Sequence, residues 1–352
     1  MPATFKYFLL RSANALVVLV IVVFMVAIAF SALSDEMTEQ LISERMQAFS
    51  MSLPLDMPAE ARAAAMEAEY DRLVDYYGID DPFHEKVYNT AINTLFFNLG
   101  DSFTAHNYGA SDGSVYTIIM HFLPRTILLF TTAAVFYILI GIGLGLKAAQ
   151  LAGSKIDKFL SIFGILTSSM PMWWVGMLAI LFFSFQLGWF PASAMPFPDE
   201  TGLPYYTGVL KRLIMPLSTI VFVAFGARAW ATRNMVTSVL QDDYIMAARA
   251  KGVPENRVIY GHTLRTASPP IVTSAIITFL LSIGGAMITE VIFNWPGLGF
   301  LFRAALFANS DMPVIMGIIY ITTILWVVGY LIADILYGYL DPRVEVGAQK
   351  KV

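Results

Sequence analysis

The sequence predicts an all-α, polytopic membrane protein with six transmembrane helices. Hydrophobic residues make up 57% of its 352 residues and charged residues only 14%, where a soluble domain carries about 25% charged. Mean hydropathy is +0.65. Crossing the hydrocarbon core of a bilayer takes about 20 apolar residues of helix, and such runs recur six times along the chain.

The first run covers about 13–33 and follows Lys6 and Arg11. A cleaved signal peptide also opens on basic residues, but its apolar core is only about 7–15 residues long, so this run reads as a retained helix. An acidic segment follows. Within it, 57–77 is rich in Ala, Glu and Arg, which favour helix, and is bounded by Pro58 and by Gly78 to Pro82. One or two short helices of an extracytoplasmic cap are expected there. The second run, about 126–146, is entered through His121-Phe122-Leu123-Pro124-Arg125 and closed by Lys147. The third, about 159–187, carries Pro171 and Trp173-Trp174 in its middle. A loop with prolines and aromatics leads to the last three runs, about 213–231, 271–293 and 313–337.

Lysine and arginine concentrate on the cytoplasmic side of membrane helices. Lys6, Arg11, Lys147, Lys155, Lys158, Arg233, Arg249, Lys251, Arg257, Arg265 and Arg343 fall on one side of these runs, opposite the acidic segment. Both termini are therefore expected in the cytoplasm, in a multi-pass plasma- or inner-membrane protein. Lys211, Arg212 and Arg303 are the exceptions on the outer side.

Several chemistries are excluded. The chain has no cysteine, hence no disulfide, thiolate metal site or cysteine nucleophile. His84, His106, His121 and His262 lie far apart, in no metal-ligand spacing, and no metal site is expected. Gly141, Gly143 and Gly145 lie inside an apolar run and follow no strand, which points to close helix packing. No G-x-x-x-x-G-K-[ST] motif occurs, so the chain is expected to hydrolyse no ATP, and no catalytic residues stand out. Glu290 ends the fifth run. An ionisable group at membrane depth is a functional candidate, so a place on a translocation pathway or gate stands against simple hydration near the interface. Asp334 is expected to pair with a local cation such as Arg343.

Residues 241–254 carry the most information. Asp242 or Asp243 fits a helix N-cap. Tyr244, Ala247, Ala248 and Lys251 then fall on one face at i, i+3, i+4 and i+7. Gly252 suits a left-handed helix exit, and Pro254 prevents continuation. The result is a helix of about ten residues, roughly 15 Å long, too short to be stable alone in water. Either it sits in a partner's groove or it packs on the protein's own spans. These residues leave both readings open.

Asp243-Tyr244-Ile245-Met246-Ala247-Ala248-Arg249-Ala250-Lys251-Gly252 resembles the coupling loop of type I ABC importer permeases, in the dipeptide/oligopeptide (and nickel) branch. Arg257-Val258, His262, Leu264-Arg265 and Pro270 follow at matching spacing. Three further stretches resemble that branch in the same order: Asn98 to Ser102 with Leu123 to Thr126, Glu290 to Gly299 around Trp295, and Asp334 to Arg343. Two features depart from it. Met246 stands where the general importer loop begins its Glu-Ala-Ala, and Ser31 to Asp35 replaces a Pro-Gly-Asp-Pro turn, ahead of a longer outer segment.

The resemblance implies half of a translocation pore with the type I importer fold and an extracytoplasmic insertion after the first helix. The implied divisions are 1–33 for the first helix, 34–113 for the acidic segment, 114–340 for the permease domain with a coupling loop at 241–270, and a tail at 341–352. Implied partners are a second permease, two ABC ATPases that bind ATP and Mg, an extracytoplasmic solute-binding protein and the lipid bilayer, with no nucleic acid. The chain itself would carry no cofactor. Asp243, Tyr244, Ala247, Ala248, Arg249, Ala250, Lys251 and Gly252 would couple to an ATPase, and Glu290 and Trp295 would belong to the pathway or its gate. Di- or oligopeptides are the implied cargo, with nickel or oligosaccharides as alternatives. A secondary transporter would show internal repeats with interrupted spans in both halves, and no such repeat is seen.

Overall fold

The computed structural model describes residues 3–54, 56–102, 104–109, 113–196, 202–308 and 311–340. Its helices are α1 (Ala3–Ser52), α2 (Ala59–Tyr77), α3 (Phe83–Leu95), α4 (Val115–Gln150), α5 (Lys155–Ser169), α6 (Met172–Ala179), α7 (Leu203–Leu240), α8 (Asp243–Ala250), α9 (Glu255–Arg257), α10 (Leu264–Ser282), α11 (Met287–Phe293), α12 (Leu298–Arg303) and α13 (Met312–Leu340). Wider π-type turns extend α6 over Ile180–Gln186 and join α9 to α10 over Val258–Thr263. Among the described residues there is no strand beyond an isolated bridge between Asp101 and Ser114.

Among the described residues, five helices are long and apolar enough to cross a membrane: Phe8–Ala32, Val115–Gln150, Leu203–Leu240, Glu255–Ser282 and Met312–Leu336. Two of the runs expected to be single spans are broken. In the third, Lys155–Ser169 and Met172–Gln186 meet at 98°. Met170 is extended there, with ψ 127°, because the ring of a following proline clashes with a helical residue before it. The fifth run stops at Ser282 and restarts at Met287. Gly285 between them has φ 69°, a conformation glycine adopts without steric penalty. A second bend of 87° separates α11 from Leu298–Ala308. At the other end of the chain, α1 continues to Ser52, well beyond the first apolar run.

The chain groups into two compact units, one drawn from Met1–Ala15, Phe122–Leu301 and Ile324–Val352, the other from Leu16–His121 and Phe302–Thr323. In the second, α2 forms where its composition predicts and closes on Gly78 at φ 60°. α3 follows it, burying Val87, Ala91 and Thr94. Asp311 is fully buried ahead of α13 and accepts hydrogen bonds from the Ser102 hydroxyl at 2.5 Å and from the Thr104 hydroxyl at 2.9 Å. The Tyr320 hydroxyl donates to the Leu95 carbonyl at 3.2 Å.

In the first unit, α7 is the element on which the others assemble. A Cβ on Gly141 or Gly145 of α4 would run into Arg228 or into Ala229 and Thr232 of α7, whereas one on Gly143 would meet nothing within 4 Å. The glycines at i and i+4 thus let two helices approach closely. Arg233 of α7 grips Asp157 of α5 through Nε and Nη2, at 2.8 and 3.0 Å. Asp157 also accepts from the Gly153 N–H at 2.8 Å, while its own N–H donates to Ser154 Oγ at 3.3 Å. This reciprocal cap starts α5. Near the far ends of the chain, Asp334 meets Arg11 at 3.0 Å. Arg343, expected beside it, lies outside the described residues, as do the rest of the tail and the structural detail of the Asp341-Pro342-Arg343 stretch.

Candidate functional site

Two places hold the residues singled out by sequence, both in the unit built on α7. The first is α8. It spans Asp243–Ala250 and hangs from a single apolar side chain: Ile245, wholly buried. Ile245 belongs to a cluster with Ala149 of α4, Val236 and Leu240 of α7, Val258 and Ile259 beyond α9, and Ala267 and Ile271 of α10. Asp243, Tyr244, Ala247, Arg249, Ala250, Lys251 and Gly252 are exposed. Ala248, three residues after Ile245, is half-buried, unlike the exposed Tyr244, Ala247 and Lys251 with which its spacing grouped it. One face of the helix thus packs on the protein's own spans, and the other is exposed.

The ends of α8 are built differently from each other. Asp242 occupies the N-cap position, at φ −67° and ψ 143°, but its side chain makes no cap hydrogen bond. The expected carboxylate cap is thereby corrected. The Asp242 main-chain oxygen instead accepts from the N–H groups of Ile245 and Met246, at 3.0 and 3.2 Å. Asp243 lies in the first turn, where its charge complements the helix dipole. At the exit, Gly252 has φ 76°. Its N–H donates to the Arg249 carbonyl at 2.9 Å, and the Val253 N–H donates to the Ala248 carbonyl at 3.2 Å. These are the paired bonds of a Schellman motif, and the half-buried Val253 packs against the Ile245 cluster.

Two further contacts tie α8 to the segment after it. The Tyr244 hydroxyl donates to Thr266 Oγ1 at 2.8 Å, and Arg249 pairs with Glu255. That segment was expected to be a loop ending at Pro270. It is helical instead, and α10 carries Pro269 and Pro270 inside it. Proline at 269 leaves the Arg265 carbonyl without its helical donor, and the Ser268 hydroxyl takes that place at 3.2 Å.

The second place is the turn from α11 into α12. Glu290 is 1% exposed and Trp295 is fully buried. Glu290 Oε2 accepts from the Gly299 N–H at 2.5 Å, and the Thr126 hydroxyl lies beside the same carboxyl. Trp295 Nε1 donates to the Arg125 carbonyl at 2.9 Å, and the Leu298 N–H donates to Thr126 Oγ1 at 2.8 Å. Asn294 turns the chain at φ 49°. A side chain on Gly297 would strike the Glu290 carboxyl and the Thr126 hydroxyl, and one on Gly299 would strike the Met287 backbone. The Glu290–Gly299 stretch is thus a tight clamp closed on the Pro124-Arg125-Thr126 segment of α4. Sequence inspection marked Glu290 and Trp295 but gave Thr126 no role. A hydroxyl next to the arginine that opens an apolar run was the available signal. Likewise Ile245, an apolar residue in a polar stretch, was the signal for the anchor of α8. Among the described residues no group of histidines and carboxylates is placed to hold a metal ion.

Residues 138–346 match the family model described as "Binding-protein-dependent transport system inner membrane component". The chain is 34% identical over 279 residues to the oligopeptide transport system permease protein AppB of Bacillus subtilis (strain 168), covering 79% of this chain and 86% of that one. It is 31% identical over 291 residues to the di/tripeptide transport system permease protein DppB of Pseudomonas aeruginosa (strain UCBPP-PA14), covering 76% and 82%. Among solved structures, a chain of the MetNI methionine ABC transporter in inward facing conformations superposes with a TM-score of 0.50 at 16% identity, over 63% of this chain and 96% of that one. That likeness concerns the fold.

Proposed function

Since the chain belongs to the binding-protein-dependent transport system inner membrane components, we propose that it is one permease of an ATP-driven importer of di- or oligopeptides. It forms half of the pore with a second permease. Two ATPases bind ATP and Mg on the cytoplasmic side, where both termini also lie, and a solute-binding protein delivers cargo outside. The acidic segment 34–113 is the outer cap, and 114–340 is the permease domain.

The observation that carries this reading is the two-faced α8. Ile245 fixes one face to α4, α7 and α10, while Tyr244, Ala247, Arg249, Ala250 and Lys251 are exposed to solvent on the other. Small residues let a partner approach closely, and a helix in a groove is a common recognition mode. Closure of the ATPase dimer around ATP would push on this face, and the anchored face would hand the displacement to the spans as a rigid-body movement. In this scheme Glu290 and Trp295 serve the gate by holding the Glu290–Gly299 clamp in shape.

Reconstitution of the chain in vesicles with its second permease, ATPases and binding protein tests the proposal. ATP-dependent accumulation of a labelled oligopeptide is expected. Accumulation of nickel or an oligosaccharide without peptide would overturn the cargo, and an assembled complex that accumulates solute without ATP would overturn the mechanism.

A further inference from the structure

We propose that Arg228 is a positioning residue that fixes the register of α10 against α7, so that α8 and both spans move together. The inference rests on the permease reading above. Arg228 lies about 18 Å before the end of α7 at 1.5 Å per residue and is 8% exposed. A buried cation is costly unless its donors find partners.

Arg233, further along α7, has the Asp157 carboxylate. Arg228 is satisfied differently. Its Nη1 donates to Ser274 Oγ at 3.0 Å and its Nη2 to the Ile271 carbonyl at 2.9 Å, both on α10. Its Nε has no hydrogen-bond partner. The Ser274 hydroxyl donates to the same Ile271 carbonyl at 3.0 Å, so the two acceptors are held in one place. The stem of Arg228 lies where Gly141 of α4 has no side chain, and three spans therefore meet at this residue.

Burial alone does not explain that arrangement. An apolar side chain of similar volume would hold α7 and α10 together without the desolvation penalty of a buried charge. It would not, however, fix their axial register. The planar, rigid fork of a guanidinium does so, because any slide of α10 along α7 breaks both bonds at once. Ile271 also belongs to the cluster that buries Ile245. The lock therefore acts on the same stretch of α10 that receives α8, and displacement of α8 passes to both spans without slippage.

The test uses the full complex in vesicles and reads solute taken up per ATP hydrolysed, for wild type, Arg228→Met, Arg228→Lys and Ser274→Ala. ATP-driven uptake by the wild type tests the permease reading separately. Arg228→Met is expected to keep hydrolysing ATP while its uptake per ATP falls about tenfold, the size of a typical coupling free energy. Arg228→Lys, which keeps the charge but has a single donor nitrogen in place of the fork, is expected to recover part of the loss, and Ser274→Ala to fall between. An unchanged ratio in Arg228→Met would overturn the proposal. So would hydrolysis and uptake declining in equal proportion, as loss of stability alone would produce. Should Arg228→Met fail to assemble, an unchanged ratio in both Arg228→Lys and Ser274→Ala would overturn it as well.

Discussion

Gly252 and Ile245 do opposite jobs for α8, and each can be tested alone. Gly252 sits at φ 76° with nothing within 4 Å of the place a Cβ would take. A side chain there meets no neighbour, so the penalty is the left-handed backbone itself, about 1–2 kcal/mol for an L-residue and worst for a β-branched one. Gly252→Val is expected to leave the protein inserted in the membrane and to abolish ATP-dependent uptake, measured in vesicles against an immunoblot of the membrane fraction. Ile245 is all burial. Ile245→Ala removes most of a wholly enclosed side chain, at a cost of about 2–5 kcal/mol, and it is the single buried residue of α8. Amide exchange across Asp243–Ala250 is expected to accelerate in this variant while α7 stays protected, since local opening draws on local contacts. Unchanged exchange would mean that α8 is held by something other than the Ile245 cluster.

At the level of elements, close helix approach depends on which glycine is altered. Gly141 and Gly145 face α7, and Gly143 faces away. Gly145→Ala is expected to wedge α4 from α7 and lower the Tm in detergent, at about 1–3 kcal/mol for overpacking. Gly143→Ala is expected to leave the Tm unchanged or raise it, because alanine favours helix over glycine by about 1 kcal/mol. The clamp behaves like the first pair. Gly297→Ala pushes a methyl into the Glu290 carboxyl and the Thr126 hydroxyl, and it is expected to lower the Tm more than Glu290→Gln, which keeps the shape of the side chain. The apolar runs revealed where helices lie, but not where they break. Pro171 was visible in the sequence, yet an apolar stretch of that length is also compatible with a kinked single span. Gly284 and Gly285 were visible too, but a glycine pair in an apolar run marks close packing as readily as a helix stop. Where α10 continues through Pro269 and Pro270, Ser268 serves the carbonyl that Pro269 frees, a local bond that no periodicity reports.

Across the whole molecule, composition and the apolar runs were enough for a multi-pass membrane protein, and the motif order was enough for its family. Partner choice for individual charges was not legible. Asp334 pairs with Arg11, far away in sequence, and Arg228 spends its charge on a hydroxyl and a carbonyl of another helix. Such pairings follow from helix packing, which no local pattern encodes. The central claim is that the exposed face of α8 receives an ATPase, and the absence of cysteine from the chain makes it directly accessible: a single introduced cysteine is the chain's only thiol. The decisive measurement is thiol-directed cross-linking in the assembled, transport-active complex from Ala247→Cys or Ala250→Cys on that face, with Tyr206→Cys near the start of α7 as control. The account predicts an adduct between this chain and an ATP-hydrolysing subunit from both α8 positions and none from the control. Adducts absent from α8, or formed equally from the control, would contradict it.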